Sequence, residues 1–269
     1  MQDKRVQEVY NSYFIFNNER ALSTDTPSEL SVTDLTSYAT YVDKTRRYDN
    51  QIIVRDICNL ESLDNSLELF DISLPLEISV EPKAITPELN SWLSSHEFTN
   101  VFEHEFLQLT QENLLASKDS SNAINVEVWG HSKVDDFLSL LKTSGVSCSD
   151  EIWLKKRSLY CTDKFRSYVA FVNGMPCAWA TSFFESKHAI LANAYTQEEF
   201  RGRGCQKALL DARIKDAFDN GIEVVLTDVE LNSTSSRNCK SFGFTSVGVR
   251  KYNRIMNVTF TRSATFIET

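Results

Sequence analysis

The sequence predicts an α/β protein. Runs of β-branched and aromatic residues of strand length alternate with amphipathic stretches of helical spacing along the whole chain. Asn173-Gly174 joins two alternating apolar runs, the strongest short-range signal for a hairpin. A turn rich in Gly and Arg, Phe200-Arg201-Gly202-Arg203-Gly204-Cys205-Gln206, stands between a strand and a long amphipathic helix. At 269 residues the chain makes one large domain or two small ones.

The first elements follow in order. Residues 1–22 have Val6, Val9, Tyr10, Tyr13 and Phe14 on one helical side. STDTPSELS is a turn-rich loop, and SYATYV (37–42) and NQIIVRD (50–56) are strands with Arg46-Arg47 between them. LESLDNSLELF (60–70) is helical through Leu63, Leu67 and Phe70, and PLEISV (75–80) is a strand. Thr86 caps and Pro87 begins a further helix, because proline suits the first helical position. VFEHEFLQL (101–109) is the next strand, and residues 113–123, polar and small, are a linker.

INVEVW (124–129) opens the second half, followed by helices over 134–144 and 150–161. Strands over 165–172 and 176–184 make the hairpin, and HAILANA (188–194) leads into the Gly-Arg turn. In the helix after that turn Leu210, Ile214, Ala217 and Phe218 share one side, and Gly221 ends it. VVLTDVE (224–230) is a buried strand, and a Ser/Thr/Asn cluster then begins a short helix stopped by Gly243. Phe244–Arg250 and Asn253–Thr259 are two closing strands.

The two glycines of the turn leave successive N–H groups uncovered, and the helix adds its unpaired first-turn N–H groups and dipole. Such an arrangement cradles an anion such as a pyrophosphate. The spacing lacks the third glycine of a dinucleotide fingerprint and the lysine of a P-loop. Arg201-x-x-Gly204-x-Gln206, followed by Asn232-x-x-Ser235 and Gly243-Phe244, resembles the GNAT superfamily of acyl-CoA-dependent N-acyltransferases. Gln206 stands where that motif usually has a small residue, and Ser235-Ser236-Arg237-Asn238 before Gly-Phe is a familiar variant.

The resemblance implies a mixed, mostly antiparallel central sheet flanked by helices, in two GNAT-like halves in tandem. Leu93–Val101 lines up with Cys239–Val247, so residues 1–112 are expected to be a degenerate GNAT-like domain and 124–269 an intact one. Asn50-Gln51-Ile52-Ile53 and the segment from Pro75 to Pro82 fit a tandem group of the family. The first half has no G-x-G turn and is not expected to bind CoA. In the second half the resemblance implies that acetyl-CoA lies along Ala194, Tyr195 and Thr196. Its diphosphate would sit on Arg201, Gly202, Arg203, Gly204, Cys205 and Gln206, with Asn232 and Asn238 holding the pantetheine amides. Asn232 is equally placed to cap the short helix.

Two groups that handle protons in many relatives are replaced: a tyrosine by Cys239 and a glutamate by Thr227. Cys239 as acid and Glu198 as base are the catalytic candidates, with Glu199 and His188 behind them. Asp228 and Glu230 face away from Thr227 by strand alternation. Trp153, Tyr160, Tyr168 and Trp179 either line an acceptor groove or belong to the core, and Tyr38, Tyr41 and Arg47 could wall it from the first half.

Composition limits the partners. Six cysteines without metal-like spacing argue for free thiols and no metal. A net charge of −9 disfavours nucleic acid, and no apolar run approaches the roughly 18 residues of a membrane span. The start lacks a signal peptide, which leaves the cytoplasm as the expected compartment. The activity expected is transfer of an acetyl group from acetyl-CoA to a primary amine of a small molecule or peptide, by direct attack in a ternary complex. An acetylated enzyme through Cys205 or Cys239 is the less favoured route, and a CoA-binding sensor without turnover is the alternative.

Overall fold

A computed structural model describes residues 4–45, 50–71, 73–115 and 124–255. The helices are α1 (Lys4–Glu19), α2 (Leu60–Leu67), α3 (Pro87–Ser95), α4 (Val134–Lys142), α5 (Asp150–Lys156), α6 (Cys205–Asp219) and α7 (Thr234–Ser241). The strands of the first half are β1 (Ser31–Asp34), β2 (Tyr38–Val42), β3 (Gln51–Val54), β4 (Glu77–Val80) and β5 (Phe98–Thr110). The second half adds β6 (Ile124–Trp129), β7 (Phe165–Val172), β8 (Met175–Glu185), β9 (His188–Thr196), β10 (Val224–Glu230) and β11 (Thr245–Ile255).

Among the described residues eleven strands form one sheet in the order β1-β2-β3-β4-β11-β5-β10-β9-β8-β7-β6. Among the described residues two neighbouring pairs are parallel, β3 with β4 and β9 with β10. Each is joined by a helical crossover, α2 in the first and α6 in the second, as parallel neighbours require. The halves exchange strands at the centre. β5 leaves the first half to pair with β10, and β11 leaves the second to pair with β4. The buried Arg250–Glu81 ion pair at 2.9 Å ties β11 to the first half.

Local signals explain most boundaries. Thr86 accepts from the Leu89 N–H at 3.1 Å, with Pro87 in the first turn of α3. Asn173 and Gly174 take positive φ, as a tight hairpin turn between β7 and β8 demands. Three expectations change. β1 is an added edge strand with no apolar alternation, which its turn-like composition conceals. The segment expected as a helix to residue 161 ends at Lys156 and continues as a 3₁₀ turn, Arg157–Leu159. The described part of the two expected closing strands is one strand, bulged between Tyr252 and Asn253; the bulge interrupts the alternation that had suggested a break. Residues 256–259 of that expectation lie outside the described residues.

The sheet separates two layers in the second half. Val6, Val9 and Phe16 of α1 join Phe137, Leu141, Trp179, Ile190 and Leu226 on one face. On the other, Leu210 and Ile214 of α6 and Cys239 of α7 pack with Leu107, Leu191 and Val225. The N-terminal helix thus roofs the sheet of the second half.

Candidate functional site

β9 and β10 stay in parallel register only from His188/Val224 to Ile190/Leu226. The Thr227 hydroxyl donates to the Leu191 carbonyl at 3.2 Å beyond that point, and the strands then part. β9 also carries one extra residue against β8, between the pairs Ser182/Leu191 and Ala180/Ala194. Such a bulge bends the strand and leaves a residue unpaired. The pocket at this parting runs through the sheet. Gln206, Leu210, Arg213, Asn238 and Cys239 line it from the α6/α7 layer, and Tyr13, His104, Asn193 and Asp228 from the layer under α1.

The Gly-Arg turn stands at the N-terminus of α6. Gly202 has φ +74° and Gly204 φ +90°, conformations that suit glycine. A Cβ on Gly202 would meet nothing within 4 Å, and one on Gly204 only the Ile124 side chain at 3.8 Å. Packing therefore does not demand glycine here; the backbone angles do, and the space above is open. Gly204 is the N-cap of α6 and supplies no side chain to occupy the first-turn N–H groups. Arg201 and Arg203 are exposed, the latter 5.2 Å from the Phe200 ring centre. The Cys205 thiol is buried 3.6 Å from that of Cys177, which turns it away from solvent.

Gln206 is a strut. Its amide donates to the Ser235 hydroxyl at 3.0 Å and accepts from the Asn238 amide at 2.9 Å, tying α6 to α7. That network gives the unusual glutamine a physical reason. Asn232 is exposed in a left-handed conformation (φ +64°), and its carbonyl accepts from Arg237 at 2.7 Å. The capping expected of Asn232 belongs instead to Ser233, whose hydroxyl accepts from the Ser236 N–H at 3.0 Å. Ala194 lines the pocket; Tyr195 packs toward Trp179, and Thr196 is buried beside β8.

Cys239 lines the pocket, but burial pushes its thiol up to about 11. A thiol held so far above the free value of about 8.5 is a weaker acid than an ordinary thiol. Toward a leaving thiolate, a thiol raised in this way gives a hydrogen bond more readily than its proton. Arg213 beside it is 5% exposed and donates to the carbonyls of Leu209 (3.3 Å) and Thr181 (3.4 Å). Burial brings its pKa down to about 10, so it remains a cation at neutral pH.

The other base candidates stand elsewhere. Glu198 and Glu199 are exposed in the 3₁₀ turn after β9, and His188 starts β9 at the end opposite the parting. Trp153, Tyr160, Tyr168 and Trp179 are core residues. Trp153 donates to Asp135 at 2.8 Å, Tyr168 to Asp216 at 2.6 Å, and Tyr160 accepts from Arg20 at 3.2 Å. Tyr38 and Tyr41 are buried in the first half, and Arg47 lies outside the described residues. The first half reaches the pocket through Tyr13 and His104, which sequence reasoning missed. Asp228 was set aside because it faces away from Thr227; the alternation holds, but a pocket crossing the sheet collects both faces. Among the described residues no group of three or more His, Cys, Asp or Glu side chains could hold a metal ion. No described helix is long and apolar enough to cross a membrane.

Residues 134–244 match the acetyltransferase (GNAT) family. The fold as a whole resembles a GCN5-related N-acetyltransferase from Kribbella flavida, at TM-score 0.62 and 12% identity over 93% of this chain and 94% of that one. A functionally unknown conserved protein from Staphylococcus epidermidis gives TM-score 0.60 at 14% identity, over 86% of this chain and 95% of that one. A GCN5-related N-acetyltransferase from Sphaerobacter thermophilus gives 0.57 at 14% identity, over 82% and 81% respectively. No curated protein matches the sequence. The uncapped helix N-terminus beside the parted parallel strands falls within residues 134–244, the segment of the chain that is an acetyltransferase domain of the GNAT family.

Proposed function

We propose that the chain transfers an acetyl group from acetyl-CoA to a primary amine of a small molecule or peptide, by direct attack in a ternary complex. One observation carries this: the uncapped N-terminus of α6 opens beside a pocket that crosses the sheet. The diphosphate would rest on the N–H groups from Gly202 to Gln206, with the pantetheine arm running between Asn238 and Ala194 toward the bulge in β9. The thioester would then lie in the parting, reached by the amine from the α1 layer. Holding both reactants in line supplies a large part of such a rate enhancement. The Cys239 thiol and the Arg213 cation sit where they would stabilise the departing sulfur. We also propose that residues 1–112 form a degenerate GNAT-like domain joined through 113–123 to the acetyltransferase domain, 124–269.

Replacement of the usual acid and base by Cys239 and Thr227 favours a second reading, a CoA sensor without turnover. Thermal shift with acetyl-CoA and thiol release against a panel of primary amines separate the two. Stabilisation with thiol release supports the enzyme. Stabilisation with none supports the sensor, and no stabilisation removes both.

A further inference from the structure

β5 lies between β10 and β11, and its register sets His104 opposite Glu230 and Phe106 opposite Asp228. Opposed residues share a face, so His104 and Asp228 are diagonal neighbours in the layer under α1. Nδ1 of His104 lies 3.1 Å from Oδ2 of Asp228. A carboxylate can only accept, so Nδ1 carries the proton, and Nε2 is the basic nitrogen of the neutral ring. The two side chains are 7% and 19% exposed, and both line the pocket at the parting of β9 and β10.

We propose that His104 is the general base that takes the proton from the acceptor amine, with Asp228 as its positioning residue. The active site is then completed by a strand of the first half. This rests on the acyl-transfer reading above. As the amine nitrogen forms its bond to the thioester carbon, its proton passes to Nε2. The C–S bond breaks with its electron pair left on sulfur, and the proton returns to the thiolate or to solvent. Amide and free thiol result, and no other reactant is needed.

The remaining groups in the pocket do not fit the task. Burial, with Asp228 adding to it against the pull of Arg20, raises the Tyr13 phenol; Cys239 and Arg213 keep their protons at neutral pH. Histidine is the side chain whose ordinary range lies nearest neutrality, so an imidazole can take up and release a proton there. Asp228 holds the tautomer and stabilises the imidazolium that forms. Around His104 stand Asp228 and Glu230 from β10, Arg250 and Tyr252 from β11, Tyr10 and Tyr13 from α1, and Glu77 from β4. Arg250 is paired with Glu81 at 2.9 Å, and Glu77 with Arg254 at 2.8 Å. Asp228 is in direct contact with the ring.

The test is kcat against pH for thiol release from acetyl-CoA, with saturating methylamine, a lysine peptide and hydroxylamine as probes. Using kcat reports groups in the bound complex rather than the free amine. The unaltered protein should show a rate rising with pH through a single acidic limb, as a base that must be unprotonated requires. His104→Gln should lose that limb and about 100-fold or more in kcat, while acetyl-CoA still raises its melting temperature. Asp228→Asn should keep the limb but move it down by about one unit, since the imidazolium loses its counter-charge. Imidazole added to His104→Ala should restore part of the rate. Unchanged kcat and limb in a folded His104→Gln overturn the role of His104 alone. If that variant does not fold, an unaltered protein lacking the acidic limb overturns it equally. Acetyl-CoA binding without thiol release from any probe removes the acyl-transfer reading and the base with it.

Discussion

The two helical crossovers of the sheet have the same order and opposite character. In the first, β3 and β4 stay paired over their whole length, from Gln51/Glu77 to Val54/Val80. The helix between them is short, and the Asn59 side chain caps it by accepting from the Glu61 N–H at 2.9 Å. In the second, β9 and β10 part after three paired residues, and α6 begins at Gly204 with no side-chain cap. One crossover caps its helix N-terminus with its own side chain; the other leaves it uncapped. A bulge and two left-handed glycines make the difference, so the site arises from local relaxation of a motif that the first half keeps closed.

The largest effect should come from closing the open crossover. Gly204→Glu puts a side chain at φ +90° and a negative charge where an anion would bind. Acetyl-CoA affinity measured by calorimetry should fall at least about 100-fold. Retained affinity would show that α6 does not hold the diphosphate. The reverse experiment, Asn59→Ala, opens the N-terminus of α2. It should cost about 1 kcal/mol of stability in urea unfolding and confer no second CoA site, because β3 and β4 remain zipped. Two equivalents of CoA per chain in that variant would break the comparison.

The second contrast lies at the ends of α3 and α7, and its effect on stability exceeds that of the Asn59 cap. Gly243 follows α7 with φ +99°, and a Cβ there would fall 1.9 Å from the carbonyl oxygen of Asn113. Gly243→Ala must displace the segment from Asn113 to Leu115, whose Leu115 N–H donates to the Phe242 carbonyl at 3.0 Å. A loss of about 2–4 kcal/mol in chemical unfolding is expected, since strain and a backbone collision add. The glycine of the Gly-Phe pair is thus explained by packing against the chain that enters from the first half.

What the sequence disclosed follows the range of the forces involved. β6, β7 and β10 run from Ile124, Phe165 and Val224 as expected, because each alternation or apolar run is self-contained. The turn at Gly202 and Gly204 was legible for the same reason: a positive φ is written in one residue. His104 was not legible. Its meaning depends on β5 joining β10, whose Asp228 is 124 positions away, and nothing local in VFEHEFLQL specifies that neighbour. Trp179 and Tyr168 looked equally apt for a groove and for a core; only the sheet, with α4 packed on Trp179 and Asp216 of α6 bonded to Tyr168, decides. At the start of α7 the adjacent Asn232 and Ser233 have the same capping chemistry, and the structure is needed to show that Ser233 is the cap.

The smallest expected effect tests the contrast most finely. Glu97 follows α3 as Gly243 follows α7, and it too has a positive φ, of 62°. Both N–H groups donate to the carbonyl three residues back, at 3.1 Å for Glu97 and 3.0 Å for Gly243. Glu97 is exposed, however, so its Cβ stands in solvent. Glu97→Gly relieves about 1 kcal/mol of left-handed strain but makes the unfolded chain freer by an amount of about 0.5–1 kcal/mol. The two nearly cancel, and the unfolding free energy should move by less than about 0.5 kcal/mol, within the ordinary range for a surface position. The same backbone turn then tolerates either residue at 97 and only glycine at 243, which assigns the restriction to the Asn113 carbonyl rather than to the turn itself. A loss above about 1 kcal/mol in Glu97→Gly would show that the Glu97 side chain stabilises the first half, and the two turns would no longer be comparable.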